Sequence, residues 1–187
     1  HTPKRPKMNP NICISFDVEE FDLPLEYGQK IDMELQLEIG YKGLQAIQPV
    51  LDVPNLRSVL FTTAHFADHF PEDIKMLSEK HEIASHTYYH SSFETKDLLN
   101  SRLRLEEITG KPVHGLRMPR MRNVPVEDIL AAGYQYDSSV HPTWIPGRYN
   151  NFHLPRTAYL DQGLKRIPAS VSPIVRIPLF WLAFKNF

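Results

Sequence analysis

Short apolar runs alternate with stretches in which apolar residues return every three or four positions, and that alternation predicts βα units around a parallel sheet or barrel. Residues 11–17 predict a first strand that delivers Asp17 at its C-terminal end. Through Ile31, Met33, Leu35, Leu37 and Ile39 the chain alternates apolar and polar positions, which predicts an extended, half-buried segment over 31–39. Leu44, Ile47, Val50 and Leu51 then mark a helix face that ends near Pro54. Residues 58–63 predict a second core strand, and 71–80 a helix with Pro71 in its first turn. The third strand, 82–85, leads into His86 and His90. Leu98, Leu99, Leu103, Leu105 and Ile108 set a helix over 97–109 that Gly110 stops. A fourth strand over 113–116 ends at Arg117, a short helix over 126–132 is capped by Gly133, and a fifth strand over 134–138 carries Asp137. Pro142, Pro146, Gly147 and Pro155 make 141–157 a long loop before a last strand at 164–171.

The 187 residues suit a single domain over 11–187 behind a flexible, polar leader at 1–10. A formal net charge of −1 excludes nucleic acid or an anionic membrane surface as an electrostatically driven partner. The one cysteine, Cys13, excludes an internal disulfide and reads as a packed thiol in the first strand. The most apolar stretch, 174–184, is interrupted by Arg176 and Pro178 and is too short for a transmembrane segment, so it reads as a buried strand or packed terminal helix. No apolar signal segment follows the N-terminus; the compartment stays open, leaning towards the cytoplasm, and so does the oligomeric state.

Candidate chemistry gathers where the predicted strands end. His86 and His90 are four apart, so both imidazoles fall on one side of a helix or a strand. Joined by one carboxylate they would form an open metal site, with a coordination position left for water or substrate. Asp17-Val18-Glu19-Glu20 supplies carboxylates, and Asp17 and Glu19 share a face if the segment is a strand. An arginine from Arg117-Met118-Pro119-Arg120-Met121-Arg122 beside Asp17 would keep that carboxylate ionised. The plainer alternatives are a solvated acidic strand end and surface ion pairs. Asp17, His86, Arg117 and Asp137 each fall at or just past a different strand end, which is where active sites collect in parallel βα architectures.

Phe16-Asp17, Ser85-His86-Thr87-Tyr88-Tyr89-His90, Arg117-Met118-Pro119-Arg120 and Asp137 with Trp144 occur in the order seen in polysaccharide deacetylases, the carbohydrate esterase family 4 or NodB-homology group. The chain resembles that family over about 11–171, including Leu105-Glu106-Glu107-Ile108-Thr109-Gly110-Lys111-Pro112 before the arginine motif. The resemblance implies a distorted (β/α) barrel and a divalent metal, zinc first, with Co2+, Ni2+ or Mn2+ as substitutes. It also implies Asp17 as catalytic base, His86 and His90 as ligands, Arg117 as the base-orienting arginine, Asp137 as a supporting aspartate and Trp144 as an aromatic wall. Many members carry Thr-Phe-Asp-Asp-Gly; here Val18 cannot bind metal, so the third ligand becomes Glu19, with Glu20 and Asp22 as fallbacks. A backbone N–H near Arg120 would hold the oxyanion, with Arg120 itself on the substrate side, and Trp144, Tyr88, Tyr89 and Tyr149 are candidates to stack on sugar rings.

The implied activity is hydrolysis of N-acetyl or O-acetyl groups on a poly- or oligosaccharide. The family's late Leu-x-Leu-His acid motif does not occur before Phe187, so the expectation is a domain interrupted at its C-terminal end, with His141 and His153 as substitute acids. His65, His69, His81 and His114 read as surface or packing residues. Two alternatives remain: hydrolysis of another non-peptide C–N amide at the same site, as in allantoinase-like relatives, and a degenerate domain that binds carbohydrate without catalysis.

Overall fold

The structure is a computed structural model that describes residues 12–147 and 149–179. Six strands run parallel in the order of the chain: β1 (Ser15–Val18), β2 (Val59–Thr62), β3 (Glu82–Ser85), β4 (Gly115–Leu116), β5 (Tyr136–Asp137) and, after an excursion, β9 (Leu164–Arg166). β8 (Tyr159–Asp161) pairs antiparallel with β9 and ends the sheet. The helices between them are α1 (Leu23–Glu26), α2 (Met33–Leu51), α3 (Ala64–His69), α4 (Pro71–Ser78), α5 (Lys96–Thr109) and α6 (Val126–Ala131). A mostly parallel sheet with a helix after each early strand is the arrangement expected of a distorted (β/α) barrel; among the described residues β1 and β8 remain its edges. A small hairpin, β6 (Trp144–Ile145) with β7 (Tyr149–Asn150), stands inside the 141–157 segment.

The core lies between sheet and helices, where Leu60, Leu116 and Leu164 meet Phe66, Ile74, Leu98 and Leu105, all buried. α5 ends as its sequence requires: Gly110 adopts φ 69°, a left-handed conformation that costs glycine nothing, and its N–H returns to the Glu106 carbonyl at 2.8 Å. No helix among the described residues is long and apolar enough to cross a membrane.

Three expectations are corrected. Residues 33–39 are not extended but open α2, in which Leu37, Leu44 and Leu51 fall seven apart and bury together while Leu35 stays 46% exposed. A strand would have put Leu35 and Leu37 on one face; a helix separates them, and the heptad-spaced contact with the core decides the matter. Cys13 is exposed, because β1 begins two residues later. In the apolar stretch at 174–184, Ile174, Val175, Ile177 and Leu179 are exposed around an isolated bridge of Val171 to Pro178, and the remainder from 180 lies outside the described residues, as does the leader at 1–10.

Candidate metal centre

The parallel register aligns the ends of six strands. Val18 pairs with Thr62, Thr62 with Ser85, Ser85 with Leu116, Leu116 with Asp137, and Asp137 with Arg166. One residue beyond this row stand Glu19, Thr63, His86, Arg117 and Ser138. Because neighbouring side chains on a strand point to opposite faces, these side chains share the face opposite to Leu116, whose side chain is in the core. Asp17, one step before Val18, falls on that same face.

There Glu19 Oε2 lies 2.9 Å from His86 Nε2 and 3.2 Å from His90 Nε2, and the three ligand atoms fall within 4.8 Å of one another. The outer nitrogens fix both imidazoles. His86 Nδ1 donates to the Arg117 carbonyl at 2.7 Å, an acceptor that leaves the proton on Nδ1; His90 Nδ1 meets Asp22 Oδ1 at 2.7 Å. With protons assigned to the Nδ1 atoms by these partners, both Nε2 lone pairs point at Glu19 Oε2, a buried oxygen with no hydrogen bond from the protein. Three converging acceptors repel unless a positive charge stands between them, so a divalent cation fits the donor set, and the outer partners are those that orient histidine ligands. The same crowding raises the pKa of His86: burial works to lower it, but the carboxylates of Asp17 and Glu19 prevail.

Arg117 reaches Asp17 Oδ1 through Nη1 at 2.7 Å and the hydroxyls of Ser15 and Ser138 through Nη2 at 3.0 Å each, while its guanidinium lies 4.0 Å over the Phe61 ring. The fork leaves Asp17 one orientation. Desolvation pushes the Asp17 carboxyl upward, yet His86 and Arg117 together hold it below the ordinary carboxylate range, so it is ionised at neutral pH.

The other sequence-predicted residues are placed as follows. Asp137 is fully buried in the row rather than beyond it, bonded to Arg166 and Ser139. Arg120 clasps Asp22 at 2.8 Å and Glu26, and its Nη1 donates to the His90 carbonyl at 3.3 Å; its own backbone is left-handed at φ 55°. Trp144 is 62% exposed on β6, while Tyr89 packs on Tyr88 and His65 and borders an open groove of about 850 Å³ along α5. His141 is buried and bonded to the Tyr149 hydroxyl at 3.0 Å. His81, buried, accepts from the Ser58 N–H and is a packing residue as expected.

Glu20 and Asp22 turn towards His90, the one to its backbone and the other to its ring. Asp22, expected as a fallback ligand, instead holds the outer nitrogen of the His90 ring, while Ser15 and Ser138 escaped sequence reasoning because no spacing links them to the arginine and only the strand register brings them there.

Comparisons with known proteins bear on the fold and the family. Among solved structures, a putative polysaccharide deacetylase from Mycobacterium smegmatis superposes with a TM-score of 0.61 at 21% identity, over 91% of this chain and 63% of its own. A probable polysaccharide deacetylase from Pseudomonas aeruginosa PAO1 gives 0.60 at 18%, over 86% and 61%, and a Puue allantoinase 0.59 at 17%, over the same shares. The chain thus spans a little over three-fifths of each of these structures, and at such identities the likeness is one of fold. No curated protein matches the sequence. The family model for polysaccharide deacetylase, however, matches residues 33–136, a segment that holds His86, His90 and Arg117 and exceeds half of the chain, and the chain therefore belongs to the polysaccharide deacetylase family.

Proposed function

We propose that this chain is a metal-dependent hydrolase that removes acetyl groups from an N-acetylated or O-acetylated glycan. The observation that carries this reading is the convergence of His86 Nε2, His90 Nε2 and Glu19 Oε2 beside an Asp17 carboxylate held ionised by Arg117. Glu19, His86 and His90 would hold a divalent cation, zinc first, which would supply Lewis-acid polarisation of the acyl carbonyl and lower the pKa of a water. Asp17 accepts the proton of that water, and Arg117, anchored on Ser15 and Ser138, keeps the accepting oxygen in place while the bond forms. Trp144 and Tyr89 offer exposed rings to the sugar. His141, buried and bonded to the Tyr149 hydroxyl, is kept below its ordinary pKa by burial first and the Arg117 charge second, and it is the candidate for returning a proton to the leaving group.

Calorimetric zinc titration of metal-stripped protein tests the centre, with Glu19→Ala, His86→Ala and His90→Ala checked for folding. One tight site, lost in all three variants, is expected, together with acetate release from N-acetylglucosamine oligomers that Asp17→Asn abolishes. A folded parent without a zinc site would overturn the proposal. Zinc binding without acetate release from any acetylated glycan would move the assignment to another C–N amide.

A further inference from the structure

Glu20 is as buried as any residue in the molecule, yet it is turned away from the ligand atoms. Its Oε1 accepts the backbone N–H of His90 at 2.8 Å and its Oε2 the hydroxyl of Thr63 at 2.7 Å. Both partners belong to the structure around the site. Thr63 caps α3, its Oγ1 accepting the Phe66 N–H at 3.3 Å, and α3 in turn holds the chain after β3: the N–H of Ala64 donates to the Thr87 carbonyl and that of His65 to the Tyr88 carbonyl. Between His86 and His90 the backbone bends, and Thr87 takes a left-handed conformation at φ 65°, unfavourable for a β-branched residue. A turn under such local cost keeps its shape only through its surroundings.

Glu20 can impose that shape because its own segment is fixed. The Phe21 N–H donates to the Gln36 carbonyl at 3.0 Å, and Gly40 of α2 lies so close to Glu19 that a Cβ there would stand 2.2 Å from its carbonyl oxygen. Resting on the metal-site reading above, we propose that Glu20 is the positioning residue of this centre: touching neither metal nor substrate, it sets where His90 Nε2 stands by holding that residue's backbone N–H. Adjacent glutamates then divide the work, Glu19 as ligand and Glu20 as the tie that brings β1, α3 and the His90 turn into one frame. Asp22 complements it from the side chain, so that His90 is held at its backbone by one carboxylate and at its ring by another.

Zinc and cobalt titrations of the metal-stripped chain test this, with circular dichroism as the fold check. In Glu20→Ala the zinc Kd should rise about 10- to 100-fold, the range seen when an outer partner of a ligand is lost. The visible spectrum of the Co2+ form should change with it, a readout that a merely structural loss of stability would not move. Glu20→Gln keeps an oxygen for the His90 N–H and can turn its amide to Thr63 Oγ1, and should stay within about threefold of the parent. If Glu20→Ala does not fold, Glu20→Asp, whose carboxylate is one methylene too short to span both donors, carries the same expectation. A folded Ala or Asp variant with parent-like zinc affinity and an unchanged Co2+ spectrum would overturn the proposal, as would equal losses in Gln and Ala. Failure of the parent itself to bind zinc would instead bring down the metal centre, so the two failures are told apart.

Discussion

At the scale of the residue, the site stores its chemistry as displaced proton affinities. In the metal-free protein His86 has a folded pKa above its ordinary 6.5, with Asp17 and Glu19 favouring the imidazolium more than burial opposes it. A raised pKa contributes stability that is fully present below the unfolded value and fades as the pH climbs through the folded one. Asp17 is the opposite case: its folded pKa is lowered, so its contribution is present above about 3.8 and is lost only as the pH falls through the lowered value, in a separate acid window. The denaturant midpoint of metal-stripped protein should therefore decline as the pH rises above the ordinary histidine value of 6.5 and through the raised one, and His86→Gln should flatten that slope. Zinc-saturated protein should show the reverse trend, because binding needs Nε2 unprotonated and hydrogen ions compete for it. Urea titrations at four or five pH values, with and without zinc, decide this; equal slopes in parent and His86→Gln would remove His86 as their cause.

At the scale of the element, α2 does more than cover the sheet. Its Gly40 admits the Glu19 carbonyl and the edge of the Phe66 ring, so the helix sits where only a hydrogen fits. Gly40→Ala places a methyl against a backbone oxygen that cannot step aside without carrying Glu19 along; the expected cost is about 1–3 kcal/mol, with weakened zinc binding. Gly43, one turn on, would meet nothing within 4 Å, and Gly43→Ala should stabilise the helix by about 0.5–1 kcal/mol and leave zinc affinity alone. If both substitutions behave alike in urea and zinc titrations, the close approach is not what ties α2 to the site. This helix is also where the sequence misled, since Ile31 to Ile39 satisfy a period of two locally while the burial of Leu37, Leu44 and Leu51 is a property of the whole helix. β3 was legible to the residue and α5 to within one, because a buried apolar run and a capped apolar stripe are self-contained signals. The six-residue α3 was missed: its cap Thr63 lies at the end of an apolar strand, and its register follows from bonds to Thr87 and Tyr88 that no local pattern announces.

At the scale of the molecule, the convergence of Glu19, His86 and His90 was legible because parallel strands in register deliver their last residues to one place, so positions far apart in sequence become neighbours by topology. What topology does not give is the company each residue keeps. Asp137 and Arg166 are cross-strand partners on β5 and β9, both buried, and Arg166 also holds Asp161 on β8, so this pair fastens the last two strands to the parallel sheet. Removing one partner strands the other's charge in the interior: Arg166→Ala should cost roughly 3–5 kcal/mol, whereas Asp137→Leu with Arg166→Met, which removes both charges, should recover most of that loss. The ligands come from β1 and from the end of β3, on the other side of β4, so the double variant should bind zinc with parent affinity once folded. Urea denaturation and zinc titration of the same three proteins separate the alternatives. Recovered stability with intact zinc binding makes Asp137 a strut of the sheet that acts on the reaction only through the frame it supports. A zinc site lost in a stable double variant would mean that the Asp137 charge reaches the metal ligands across β4, through the Ser139 bond to the Met118 backbone beside Arg117.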